Sequence, residues 1–176
     1  ELIHAPFNLK KSILKMIQAE KRAASQGKRA RILAKMNALT DPAVIQALYE
    51  ASQAGVEVHL IIRGTCCLKP GIKGVSDNIR VISVVGRFLE HSRVYFFQNN
   101  PNQVFCSSAD WMERNLSNRI EVCFPILKKK WANRIVEEIE LYWTDKAQSW
   151  ELTKDGDYEK RLSHADESIG VQTLLQ

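Results

Sequence analysis

An α/β fold built on a mixed sheet is what this sequence predicts, and two stretches carry the prediction. Residues 31–62 read strand, helix, strand within about 30 residues, the βαβ unit of a parallel sheet. Residues 92–107 read as a hairpin around Asn99-Asn100-Pro101-Asn102, which adds antiparallel pairing. A chain of 176 residues with 45% apolar and 26% charged residues suits one domain with a real core and is short for two.

The elements follow in order. Pro6 and Asn8 precede Leu9, Ile13, Leu14 and Ile17 at helical spacing, which predicts a first helix ending near Gly27. Lys10, Lys11, Lys15, Lys21 and Arg22 interleave with these and form its exposed stripe. Arg31–Asn37 is a strand. Asp41-Pro42 then starts a helix, a capping carboxylate followed by Pro at the first helical position. Val44, Ile45, Leu48 and Ala51 are its apolar stripe and Gly55 its stop. Val56–Ile62 is the next strand, with Val58, Leu60 and Ile62 on one face. Residues 64–77 are rich in Gly and Pro and form a loop without the glycine-lysine signature of a P-loop. Strands follow at Arg80–Val85, Ser92–Gln98, Val104–Ser107 and Arg119–Phe124. Trp131, Ile135, Ile139 and Tyr142 space out a closing helix. Beyond Trp143 a turn at residues 154–157 separates Trp150–Leu152 from Tyr158–Lys160, and the final residues have little to pack against. No internal repeat is visible.

Composition excludes some functions and favours others. No apolar run approaches the ~20 residues of a membrane helix, so no span is expected. Cys66, Cys67, Cys106 and Cys123 lack metal-binding spacing and are expected to be reduced thiols in a cytoplasmic protein. The net charge of +5 is unevenly spread: residues 1–35 carry nine Lys/Arg against two acids, and residues 144–167 seven acids against four bases. A basic front half suggests a polyanionic partner such as nucleic acid, nucleotide or polyphosphate. The chain starts at Glu1 rather than Met and Leu2-Ile3-His4-Ala5-Pro6 is no signal peptide, so a piece of a longer polypeptide is expected.

The stretch Gly86-Arg87-Phe88-Leu89-Glu90-His91-Ser92-Arg93 places one histidine and two arginines in front of the apolar strand Val94-Tyr95-Phe96-Phe97. An imidazole beside a cation that does not titrate can bind or transfer phosphate. The alternative for His91 is a polar residue where the chain enters the sheet. Arg63 follows the carboxyl end of Val56–Ile62, where open α/β sheets place ligands. Cys106-Ser107-Ser108-Ala109-Asp110-Trp111 offers N–H and hydroxyl donors that could cradle phosphate oxygens. Lys35 and Asn37 share one face at a strand end, either as site residues or as surface polarity. Arg80, Arg87 and Arg93 are candidates for a basic channel, with pairing to Glu90 or Glu121 as the alternative.

These features resemble the phospholipase D superfamily pattern, H-x-K followed by a G-S/T-x-N-like turn. Here Arg93 replaces the lysine and the turn reads Ser107-Ser108-Ala109-Asp110. A hydrolase or nuclease of that superfamily needs two half-sites, and this chain has one altered copy. A closer resemblance is to bacterial polyphosphate kinase of the histidine-phosphorylating type. It is carried by Ala34–Pro42, Ile45–Val56, Leu60–Gly71, Asn78–Arg93 and Ser108–Leu116, and thins out after the closing helix.

The resemblance implies a phospholipase D-like α/β/α sandwich with a central mixed sheet over residues 1–145, and a partly irregular C-terminal extension over 146–176. It implies the last domain of a cytoplasmic enzyme that reversibly transfers the terminal phosphate of ATP to polyphosphate. Arg63 and His91 match the family's ATP-contacting positions, His91 also as a catalytic group. The histidine that becomes phosphorylated and the magnesium-binding arginines would lie in the preceding domain, so Mg2+ is expected for the whole enzyme with no ligands in this chain. The implied partners are ATP/ADP, polyphosphate, the preceding domains of the same polypeptide and, for the full-length enzyme, further copies in a homo-oligomer. Two other functions remain open: a phospholipase D-like phosphodiesterase or nuclease acting as a dimer, and a basic nucleic-acid-binding module.

Overall fold

A computed structural model describes residues 2–161 and 170–176. A nine-stranded mixed sheet runs through it: β1 (Ile3–Ala5), β2 (Arg31–Met36), β3 (Glu57–Ile62), β4 (Ile79–Val84), β5 (Arg93–Phe97), β6 (Val104–Ser107), β7 (Glu121–Pro125), β8 (Ser149–Leu152) and β9 (Tyr158–Lys160). Their spatial order is β1-β7-β6-β5-β2-β3-β4-β8-β9. Helices α1 (Leu9–Ser25) and α2 (Pro42–Gln53) cover one face; α3 (Lys129–Thr144) and the short α4 (Val171–Leu174) cover the other. The fold is the α/β/α sandwich expected.

Strand alternation produces the two cores. Ile32, Ala34 and Met36 of β2 face α1 and α2 with Val58, Leu60 and Ile62 of β3, while Leu33 and Ile61 turn to α3. Both faces of β2 and β3 are thus buried, as strands of a covered parallel pair should be. The α2 start is as predicted: Asp41 Oδ1 accepts from the N–H groups of Ala43 (3.0 Å) and Val44 (3.1 Å), Lys10 Nζ lies 2.7 Å from its other oxygen, and Pro42 is the first helical residue. At its end Gly55 adopts φ +94°, which Gly supplies without a Cβ penalty.

β2 is the switch point of the sheet. It pairs parallel with β3 on one side and antiparallel with β5 on the other. The carboxyl ends of β2, β3 and β6 therefore meet the amino ends of β5 and β7 at one edge of the sheet. Ladders between the exits hold that edge: Arg63 and Gly64 N–H donate to Met36 and Asn37 carbonyls, Leu39 N–H to Thr65, and Thr40 and Asp41 N–H to Trp111. A Cβ on Gly64 would sit 3.1 Å from the Asn37 carbonyl, so this close approach favours Gly.

Three elements lie outside the sequence reading: β1, a five-residue π-helical turn at Arg114–Asn118, and α4. The tail also differs from expectation. β8 pairs with β4, β9 extends the sheet beyond it, and Val171 and Gln172 are buried against the α3 side. Backbone pairing on the edge of β4 gives β8 and β9 a partner that their weak apolar pattern does not announce. Residues 162–169, part of the same expectation, lie outside the described residues. Among those described, no helix is long and apolar enough to cross a membrane. The four cysteines are free, and burial pushes the Cys66 thiol up to about 11 and Cys123 to about 12. Both stay protonated at neutral pH, which makes them poor nucleophiles.

Candidate functional site

A cavity of about 600 Å³ opens at the edge where the strand exits meet, and Arg63 and His91 both line it, with Asn37, Arg93, Ser108 and Asp110. Topology explains the gathering. Arg63 follows β3, His91 precedes β5, Asn37 follows β2, and Ser108–Asp110 follow β6, all on one side of the sheet.

Arg63 is half-buried and donates from Nη1 to the backbone oxygen of Glu90 (3.0 Å); among the described residues it has no acidic partner. His91 is exposed, and its backbone carbonyl accepts from Arg93 Nη1 (2.9 Å). Its ring has no hydrogen-bond partner among the described residues, which leaves one donor and one acceptor for a ligand when the imidazole is neutral.

Arg93 is a different case. Its guanidinium grips Asp110 through two parallel bonds, Nε to Oδ1 (3.2 Å) and Nη2 to Oδ2 (3.0 Å), and Asp110 also accepts from the N–H of Asn37 (2.7 Å). The pair ties β5, β6 and the exit of β2 together, so Arg93 is compensated rather than a cation offered to a channel. Its partner is neither Glu90 nor Glu121. Arg80 leaves the channel as well: it lies away from the cavity, bonded to Glu151 (2.8 and 2.9 Å) and stacked on Trp143. Arg87 lies next door, lining a smaller recess of about 250 Å³ that it shares with Arg63.

Lys35 and Asn37 part company. Lys35 is 3% exposed, with Nζ 2.8 Å from Glu90 Oε2 and 2.7 Å from Ser92 Oγ, so surface polarity is the wrong account of it. Burial holds its pKa below the ordinary lysine value, against the opposing pull of Glu90. Glu90 is raised by burial but lowered more by hydrogen bonds from Lys35, Gln172 and Tyr142, for a net downward shift. Asn37 lines the cavity with both side-chain amide atoms buried and unpartnered among the described residues. The serine turn uses its hydroxyls internally: Ser107 Oγ donates to the Val122 carbonyl (2.9 Å) and Ser108 Oγ bonds Glu121. A phosphate cradle of serine hydroxyls is therefore not what this turn provides.

Two cations that the sequence reading passed over line the same cavity. Arg114 and Arg119 flank the π-helical turn, five residues apart, and neither has an acidic partner among the described residues. A pair of arginines at the spacing of one wide turn, just before a strand, was the available signal; the turn's geometry was not readable from it. The cavity's acids are both engaged, Asp110 by Arg93 and Glu121 by Asn115 Nδ2 (2.6 Å) and Ser108. Asn115 and Ser108 are neutral, so Glu121 keeps its charge, but Arg63, Arg114 and Arg119 outnumber it and leave the cavity net positive, suited to an anion. No cluster of three or more His, Cys, Asp or Glu able to hold a metal occurs among the described residues. Both carboxylates of the cavity are engaged by protein donors and arginines surround them, a lining that does not suit a magnesium ion.

Comparison with known proteins bears on the family and the fold. Residues 2–172 match the family described as "Polyphosphate kinase C-terminal domain 2". The polyphosphate kinase of Pseudomonas aeruginosa is 56% identical over 161 residues, 91% of this chain and 23% of that protein. The crystal structure of polyphosphate kinase from Porphyromonas gingivalis superposes with a TM-score of 0.93 at 38% identity, over 99% of this chain and 27% of that one. Nuc, a phospholipase D family member from Salmonella typhimurium, shares the fold alone, with a TM-score of 0.62 at 17% identity over 87% of this chain and 97% of its own. The chain thus spans about a quarter of the polyphosphate kinases it matches. On the match of nearly its whole length, the chain belongs to the polyphosphate kinase C-terminal domain family.

Proposed function

We propose that this chain is the C-terminal domain of an ATP:polyphosphate phosphotransferase and supplies the phosphate-binding wall of its active site. The observation that carries this reading is the meeting of Arg63 and His91 in one cavity whose remaining uncompensated charge is positive. Phosphoryl transfer asks a protein mainly for positioning and for charge around the moving group. Arg63 binds phosphate oxygens through its planar fork. His91 donates a hydrogen bond to the transferring phosphate, or acts as general acid or base, opposite the histidine that the preceding domain contributes and that becomes phosphorylated. Arg114 and Arg119 extend the positive surface along which polyphosphate runs. The same reading makes ATP/ADP and polyphosphate the substrates and the preceding domains the immediate partners. It places Mg2+ with those domains and makes the whole enzyme a cytoplasmic homo-oligomer that the isolated domain does not replace.

The test is binding of ATP and long-chain polyphosphate, comparing the parent chain with Arg63→Ala and His91→Ala. Both substitutions should weaken binding roughly tenfold or more, as expected when a hydrogen bond to a charged group is lost, while the fold stays intact by circular dichroism. Unchanged binding in both would move the phosphate site elsewhere, with the basic stripe of α1 as the first place to look. The phosphodiesterase reading is disfavoured, because the residue two after His91 is an arginine locked on Asp110 rather than a lysine at the reacting centre.

A further inference from the structure

Residues 85–92, which carry His91, have little backbone support. Among the described residues the one backbone–backbone bond in this loop is Val85 N–H to the Gln148 carbonyl, and Val85 and Leu89 are 63% and 74% exposed. What holds the loop inward is side chains, and the most extensive grip comes from far along the chain. Gln172, on α4 and 6% exposed, accepts from the Phe88 N–H at Oε1 (2.9 Å) and donates from Nε2 to the Phe88 carbonyl (2.8 Å) and to Glu90 Oε1 (2.7 Å). One donor and two acceptors on the loop fix which end of the carboxamide points where. The other Glu90 oxygen takes Tyr142 OH (2.9 Å) and Lys35, and its backbone oxygen takes Arg63. Gly86 is bare where Gln172 and Gln148 pass, since a Cβ there would collide with both carboxamides. α4 itself is anchored, with Val171 fully buried and its N–H on Asp145 Oδ2 (2.6 Å).

We propose that Gln172 is a positioning residue for the ATP site. It clamps the backbone of Phe88 and the carboxylate of Glu90, and thereby fixes the loop that presents His91 and the carbonyl that orients Arg63. The inference rests on the reading that Arg63 and His91 bind ATP. It makes the C-terminal α4 part of the site without touching substrate.

In the full-length enzyme, Gln172→Met removes all three bonds at similar volume. KM for ATP should rise roughly tenfold and kcat should fall with it, because a misplaced loop weakens contacts both to bound ATP and to the transferring phosphate. Gly86→Ala, which crowds the Gln172 and Gln148 carboxamides together, should weaken ATP binding in the parent but add clearly less in the Gln172→Met background. The distinguishing measurement is ATP affinity in the His91→Ala background. There Gln172→Met should add clearly less than its tenfold effect in the parent, since the part of its action that passes through His91 is already lost. In the unaltered chain, hydrogen exchange of the Phe88 amide should be at least about tenfold slower than that of Leu89. Equal exchange at Phe88 and Leu89, or a full multiplicative loss from Gln172→Met without His91, overturns the clamp. If His91→Ala weakens ATP binding and Gln172→Met does not, the positioning role alone falls. If His91→Ala itself leaves ATP binding unchanged, the site reading falls and takes the clamp with it.

Discussion

Lys35 and Glu90 face each other at 2.8 Å with side chains 4% and 13% exposed, a buried ion pair beneath the loop of His91. Removing one member leaves the other desolvated without its counter-charge. Lys35→Met or Glu90→Gln should each cost about 3 kcal/mol in urea unfolding, and the double variant clearly less than the sum. The pH dependence follows from the sign of the Glu90 shift. Its folded pKa lies below the ordinary carboxylate value, so the unfolded chain binds the proton first as pH falls. The stability Glu90 contributes is complete above the ordinary carboxylate range and is lost as pH drops through the lower, folded value. The midpoint difference between parent and Glu90→Gln should hold constant from neutral to about pH 5 and shrink below it. At this scale the sequence located Arg63, His91, Lys35 and Asn37 as chemistry-bearing. It did not show that Lys35 is tied under the site while Asn37 lines it, because that depends on where Glu90 lands.

At the scale of elements, caps and exits carry the argument. Asp41 closes the α2 amino end and is itself fully buried with Lys10 against it. Asp41→Ala should lower stability by about 1–2 kcal/mol in thermal or urea unfolding, with Asp41→Asn retaining most of the cap. Asp110 does a similar task for strands, holding Arg93 and the β2 exit together. Asp110→Ala should destabilise by about 3 kcal/mol and loosen ATP affinity with it, measured by unfolding and by titration. The βαβ unit, the Asp41 start, the 92–107 hairpin and the closing helix were legible because propensity, spacing and turn chemistry agreed there. β1 and α4 were not, being three and four residues long. Elements so short exist only because β7 and α3 offer them a partner.

For the whole molecule, the switch point at β2 builds the cavity. Parallel pairing toward β3 and antiparallel pairing toward β5 bring residues from positions 37, 63, 91, 93, 110, 114 and 119 to one edge. The cavity's uncompensated arginines predict that polyphosphate affinity falls steeply with ionic strength, by more than about tenfold between 0.05 and 0.5 M salt, with the unfolding midpoint nearly unmoved. A flat salt response would place the binding on uncharged contacts. The amino-acid sequence by itself determined the α/β class and most elements, and singled out Arg63 and His91 as candidates, since periodicity, caps and long shared motifs are local properties. The tertiary structure alone decided which charges are neutralised and which face a ligand. Arg80 and Arg93 became structural partners, Arg114 and Arg119 became cavity walls, and Gln172 became a neighbour of Phe88, because pairing of charges depends on distances that only the folded sheet fixes.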